Sequence, residues 1–165
     1  MNATRDQRGF TYVAVLAVVA TMGGVLAAFG EIASHAAQRE RERELLFVGQ
    51  EFRKAIAAYH RKDQRYPQAL DQLLEDRRYP MPVRHLRRIY RDPITGSLDW
   101  GMVEAPEGGI MGVYSKSEEK PIKSGNFSLR NAAFEDASQY AEWKFVHVPP
   151  SPTGLGQRRA QKTHK

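Results

Sequence analysis

Five histidines, His35, His60, His85, His147 and His164, carry the broadest chemistry in this sequence, because imidazole can act as a general base or a metal ligand near neutral pH. None is spaced as His-x-x-x-His, so no helix-borne zinc pair is written here. His85 with Asp92 could form a general-base pair. However, His85 sits in "RHLRR" (84–88), whose charge disfavours a protonated imidazole, and a solvated loop histidine is expected instead. Ser115 and Ser117 lie outside any Gly-x-Ser-x-Gly elbow. Gly108-Gly109 reads as a turn between strands, and Gly23-Gly24 as a point where helices approach or flex, so neither is a phosphate cradle. Calcium wants about six to eight oxygen ligands with carboxylates close together. Glu118 and Glu119 stand among Lys116, Lys120 and Lys123, and Glu135 and Asp136 follow without an Asp-x-Asp spacing. Glu118, Glu119 and Asp136 are the calcium candidates, and no cofactor is expected. Cysteine is absent, which excludes disulfides, thiolate zinc and a cysteine nucleophile. No constellation for an enzyme emerges.

The charge is distributed unevenly. Of the net +6, residues 151–165 carry +4 through Arg158, Arg159, Lys162 and Lys165, with no acid. That tail lacks stacking aromatics and reads as solvated and disordered, so nucleic acid is not an expected partner. Residues 9–30 contain no charge at all, a run whose helical length matches the roughly 30 Å of a bilayer core. Residues 31–62 continue with good helix formers, no proline and one glycine, Gly49. Within them Leu45, Val48, Phe52, Ile56 and Tyr59 recur at spacings of three and four, an apolar stripe that needs cover, whereas 31–44 read as solvated and charge-laced.

Pro67 ends the helix by biasing Tyr66 away from helical angles. Leu70, Leu73 and Leu74 mark a short second helix. A proline-punctuated loop follows, then a type I turn at Asp92-Pro93. Strands are expected around Leu98–Met102, with Leu98, Trp100 and Met102 on one face, around Ile110–Ser115, and over "YAEWKFVHV" with Ala141, Trp143 and Phe145 on one face. Asn131 is the expected cap of a helical turn at "NAAFEDA". The fold class is α+β: a long N-terminal helix on a small antiparallel sheet of about three strands. Its divisions are 1–9 leader, 10–30 transmembrane helix, 31–62 helical continuation, 63–150 small domain and 151–165 tail.

Gly9-Phe10-Thr11, preceded by a short basic leader and followed by a long apolar helix, resembles the class III signal of type IV pilins and of the pseudopilins of type II secretion. "RYPQALDQLLED" is similar to the tyrosine-proline and leucine segment of major pseudopilins, and "YRDPITGSLDW" to their aspartate-proline turn. The resemblance covers roughly residues 1–115 and implies a pilin-like fold. It also implies cleavage by a prepilin peptidase between Gly9 and Phe10, and methylation of the new amino group. Thr11, Tyr12, Ala14, Gly23 and Gly24 would lie on an assembly helix that joins other pseudopilins or pilins. The partners would be those subunits, an inner-membrane assembly platform and membrane lipid. The implied placement is single-pass in the inner membrane, N-terminus cytoplasmic and domain periplasmic. The implied function is a non-enzymatic subunit that assembles into, or caps, a short filament driving protein export.

Two features depart from that family. The fifth residue after the cut is usually glutamate, which meets the amino terminus of a neighbour inside an apolar core, and here it is Ala14. A subunit with alanine there suits a tip or specialised position. The calcium loop of the major pseudopilins also has no clear counterpart. The competing reading is a single-pass periplasmic adaptor with an uncleaved anchor. A membrane-anchored periplasmic enzyme has no residues to support it.

Overall fold

The 57-residue helix α1 (Gln7–Asp63) includes the stretch 31–62, where alanine, leucine, glutamate, arginine and glutamine dominate. The computed structural model describes the backbone of residues 7–149 and the side chains of 12–22 and 34–149. His60, Arg61 and Lys62 fill the last turn of α1, where cations complement the helix dipole. The helix stops as Gln64 adopts a left-handed conformation (φ 57°) and its N–H caps the His60 carbonyl at 2.8 Å. The chain divides into two units, Met1–Glu40 and Arg41–Lys165. The leader cut at residues 1–9 falls mostly outside the described residues, and the tail at 151–165 falls wholly outside them.

The second unit is the expected α+β head. After α1 come a 3-10 turn (Leu70–Leu73), β1 (Gly101–Glu104), β2 (Ile110–Tyr114), two further 3-10 turns (Leu129–Phe134 and Tyr140–Glu142) and β3 (Phe145–Val146). The strands form one antiparallel sheet in the order β1-β2-β3. Gly108 and Gly109, both with φ near +90°, turn the chain between β1 and β2, as their dipeptide predicts. All five stripe residues, Leu45, Val48, Phe52, Ile56 and Tyr59, are buried, with Ala55 between them. They share one core with Leu73, Leu86, Trp100, Val113, Phe134, Tyr140, Trp143 and Phe145. Phe134 stacks on Trp143 at 5.6 Å and meets Phe145 edge-on at 5.1 Å.

Three local expectations are corrected. Leu98 and Met102 are exposed while Trp100 is buried, so they do not share an inward face. The strand begins only at Gly101, and Trp100 turns inward just before it, donating its indole N–H to the Tyr90 carbonyl at 2.8 Å. Gly101 then buries the next position as well, because the Tyr114 ring lies where a side chain would stand. The third strand shrinks to Phe145–Val146, since the chain coils at Tyr140–Glu142, though Trp143 and Phe145 are fully buried as expected. Asn131 caps nothing: its side chain accepts from Arg53 at 2.9 Å, and Ser128 precedes the turn instead.

The expectation of a single-pass inner-membrane protein, with its N-terminus cytoplasmic and its domain periplasmic, is overturned. Among the described residues no helix is long and apolar enough to cross a membrane. The described apolar side chains at 12–22 occupy 11 residues, about 16 Å of helix against a core of roughly 30 Å. The next described side chains, from Ser34, lead into the alternating charges at 39–44. The side chains at 10–11 and 23–30 of the assigned span lie outside the described residues.

Gly49 shows how close helix and sheet come. A β-carbon there would fall within the Phe145 ring. Alanine normally improves a helix interior over glycine by about 1 kcal/mol. Overpacking a core costs about 1–3 kcal/mol. Gly49→Ala is therefore expected to lower stability by about 1 kcal/mol in urea denaturation. A gain in stability would show that the helix and β3 are not in tight contact.

Candidate functional site

Three carboxylates are out of water in the head: Glu42 at 3 % exposure, Asp76 at 1 % and Asp92 at 0 %. A buried carboxylate is tolerated only when donors surround it. Glu42 lies in the stretch expected to be solvated. Its Oε1 accepts from the backbone N–H of Ile122 at 2.6 Å and of Lys123 at 3.2 Å, and from the Tyr140 hydroxyl at 3.0 Å. It thereby fastens the 115–128 loop to α1.

Asp92 opens its turn as the Asp-Pro pair predicts. Its Oδ1 accepts from Ile94 N–H at 2.9 Å, and its Oδ2 from the hydroxyls of Thr95 at 3.0 Å and Ser115 at 2.6 Å. The Ser115 bond ties the turn to the end of β2. Ser117 is also buried and donates its N–H to the Ser115 hydroxyl at 3.2 Å, so both serines are structural.

Asp76 gathers the end of α1. Its carboxylate accepts from Arg78 Nε at 2.9 Å and Nη2 at 2.7 Å, and contacts His85 Nε2 at 2.9 Å. Arg78 Nη2 also donates to the Tyr59 carbonyl at 2.7 Å, and its guanidinium lies 3.5 Å from the Tyr59 ring centroid. Lys62 donates to the Arg78 carbonyl and sits over the Tyr79 ring. The Arg78 hydrogen bond, followed by His85, holds the Asp76 carboxyl far below the usual carboxylate range against the opposing effect of burial. Arg78 is correspondingly raised, chiefly by the same bond.

His85 is therefore not a solvated loop residue, and its carboxylate is Asp76 rather than Asp92. Its N–H also bonds the Leu73 carbonyl at 2.9 Å, which draws it inward. Among the described residues no hydroxyl is bonded to His85. His60 is buried against Tyr66 and His147, with ring centroids 4.5 Å and 5.6 Å away. Burial, then His60 and Arg61, push His147 down. His35 is exposed, and His164 lies outside the described residues. The calcium candidates do not converge: Glu118, Glu119 and Asp136 are all exposed, and no group of three metal-ligating residues occurs among the described residues.

The expected processing residues Gly9 and Phe10 and the expected assembly residues Thr11, Gly23 and Gly24 lie in the α1 backbone, their surroundings outside the described residues. Tyr12 and Ala14 are exposed. In the first unit every described side chain from Tyr12 to Met22 is exposed, and its large apolar members are between 51 % and 69 % exposed. No family model, no curated protein and no solved structure matches this chain.

Because the Asp76 carboxyl is held low in the folded state, its contribution to stability is complete above the ordinary carboxylate range and is lost as pH falls through it. Asp76→Asn is expected to cost about 3 kcal/mol at pH 7, as when a buried ion pair loses one partner. Urea midpoints of native and Asp76→Asn proteins should converge from about pH 5 downward. Parallel curves would place the acid sensitivity elsewhere.

Proposed function

We propose that this chain is a structural subunit of pilin or pseudopilin type, working by assembly of its N-terminal helix with like helices and not by catalysis. The observation that carries this reading is the helix at Tyr12–Met22. A surface helix of a self-contained domain hides its apolar stripe and shows a polar face. Here Tyr12, Val13, Val15, Leu16, Val18, Val19 and Met22 stand exposed around the helix, and no charged residue interrupts them. Such a surface calls for cover of the same chemistry. Copies of the same helix supply it without burying a charged side chain from Tyr12 to Met22.

The resemblance at Gly9-Phe10-Thr11 gives the reading its processing step. A prepilin peptidase would cut the Gly9–Phe10 bond, and methylation would follow on Phe10. Ala14 gives the reading its specialisation. Lacking a carboxylate at this position, the subunit offers no partner for the amino terminus of a neighbour, so its copies would pack by apolar contact without a charge-set register.

Co-expression with a prepilin peptidase is expected to shorten the chain by residues 1–9, read by intact mass, and a full-length chain under those conditions would sink the proposal. The processed protein should sediment as large assemblies. Val15→Glu combined with Val19→Glu should reduce these to small species while leaving the fold of the head unchanged by circular dichroism. Assemblies indifferent to both charges would mean that another surface joins the subunits.

A further inference from the structure

A groove in the head collects cations without collecting an acid. It runs between one face of α1, formed by Gln50, Arg53, Lys54 and Ala57, and the chain leaving β3 at Val146–Val148, with Arg130 alongside. Arg53 is only 9 % exposed. Its Nη1 donates to Gln50 Oε1 at 3.1 Å and Asn131 Oδ1 at 2.9 Å, but its Nε is buried with no acceptor. Burial and the neighbouring Arg130 both lower the Arg53 pKa, as two guanidiniums placed together without a carboxylate must. Lys54 reaches Glu51 at 2.7 Å, which lies outside the groove lining. The sequence after the groove, residues 151–165, holds four cations and no acidic side chain, so its side chains cannot supply the missing charge.

Such a site is costly to keep empty. Like charges repel and a buried N–H goes unsatisfied, which the placement of Arg53 over the Phe145 ring at 5.6 Å and its two amide acceptors offset only in part. An oxyanion in the groove would answer the repulsion, since guanidinium matches a carboxylate in shape and charge. The apolar surroundings select among oxyanions. Val146 and Val148 line the groove, Val148 is exposed, and Leu129, next to Arg130 in the chain, is 97 % exposed. A bare phosphate has no use for those side chains, whereas a peptide in which carboxylates alternate with apolar residues uses both.

We propose that this groove binds an acidic, partly apolar peptide segment of a partner protein, its carboxylate lodged between Arg53 and Arg130 and its apolar neighbours on Val148 and Leu129. This site is independent of helix assembly and would be present whether or not the chain joins a filament.

Fluorescence anisotropy on the full chain tests it with a labelled peptide of alternating leucine and glutamate, its glutamine counterpart, and unlabelled inorganic phosphate. The acidic peptide should bind saturably and release as salt rises, because the attraction is partly exposed to solvent. The glutamine peptide should bind about tenfold more weakly or worse, the loss expected of one charge pair. Arg130→Gln should weaken the acidic peptide about tenfold as well. Arg130 is exposed and its side chain makes no hydrogen bond among the described residues, so the fold should tolerate the change. Equal binding of the two peptides, an Arg130→Gln protein that binds as the native one does, or saturable binding of phosphate without the peptide would each overturn the proposal.

Discussion

The head depends on one constraint: the stripe Leu45–Tyr59 of α1 and the sheet must bury each other, because neither is stable alone. The three strands contribute 4, 5 and 2 residues, too little to persist without a packed face. Among the described residues the stripe in turn has no second α-helix to meet, only 3-10 turns of 4, 6 and 3 residues. Helix and sheet approach until a glycine is required at position 49 beneath the Phe145 ring. The aromatic cluster of Phe134, Tyr140, Trp143 and Phe145 comes from the last stretch of the described chain. Completion of the core therefore waits on contacts between residues nearly a hundred positions apart, an arrangement that folds slowly relative to local helix formation.

The loops would otherwise be the weak part of such a head, since long stretches between strands carry little regular structure. Buried carboxylates give them fixed ends. Glu42 holds the loop after β2, Asp92 holds the turn before β1, and Asp76 holds the segment after α1. Each replaces hydration with several donors at once, so each is expensive to break and indifferent to small shifts elsewhere. This accounts for a head with three buried acids. The acids serve the backbone.

Periodicity made the stripe legible, because five apolar residues at spacings of three and four can only face one way on a helix. The glycine pair and the Asp-Pro turn were legible for the same local reason: their conformations are set by the residues themselves. Glu42 was not legible, because its donors are Ile122, Lys123 and Tyr140, and charge alternation at 39–44 looks solvated from the sequence. The partner of His85 was misread because Asp76 comes within reach only after the chain folds back through the Asp76–Val83 bridge. The phase of β1 failed at Trp100, where the chain buries two consecutive residues, which no alternating pattern anticipates. The cationic groove could not be read at all, since Arg53, Arg130 and His147 meet only in three dimensions.

The described part of the N-terminal unit poses the opposite problem, apolar side chains left exposed from Tyr12 to Met22. Fully burying a large apolar side chain contributes about 1.5–3 kcal/mol, so the seven exposed between Tyr12 and Met22 could contribute on the order of 10 kcal/mol. Association costs about 4–15 kcal/mol in lost translational and rotational freedom. A single partner helix would cover only one side of a surface that is apolar all round, and the balance would be close to even. Several neighbours cover more of it. The energetics thus favour a bundle over a pair, and a bundle of unpaired apolar helices has no place for an isolated charge. Ala14 is consistent with that demand. It leaves the helix face wholly apolar at the cost of any charge-based register with a neighbour, so the register of such a bundle would have to come from shape alone.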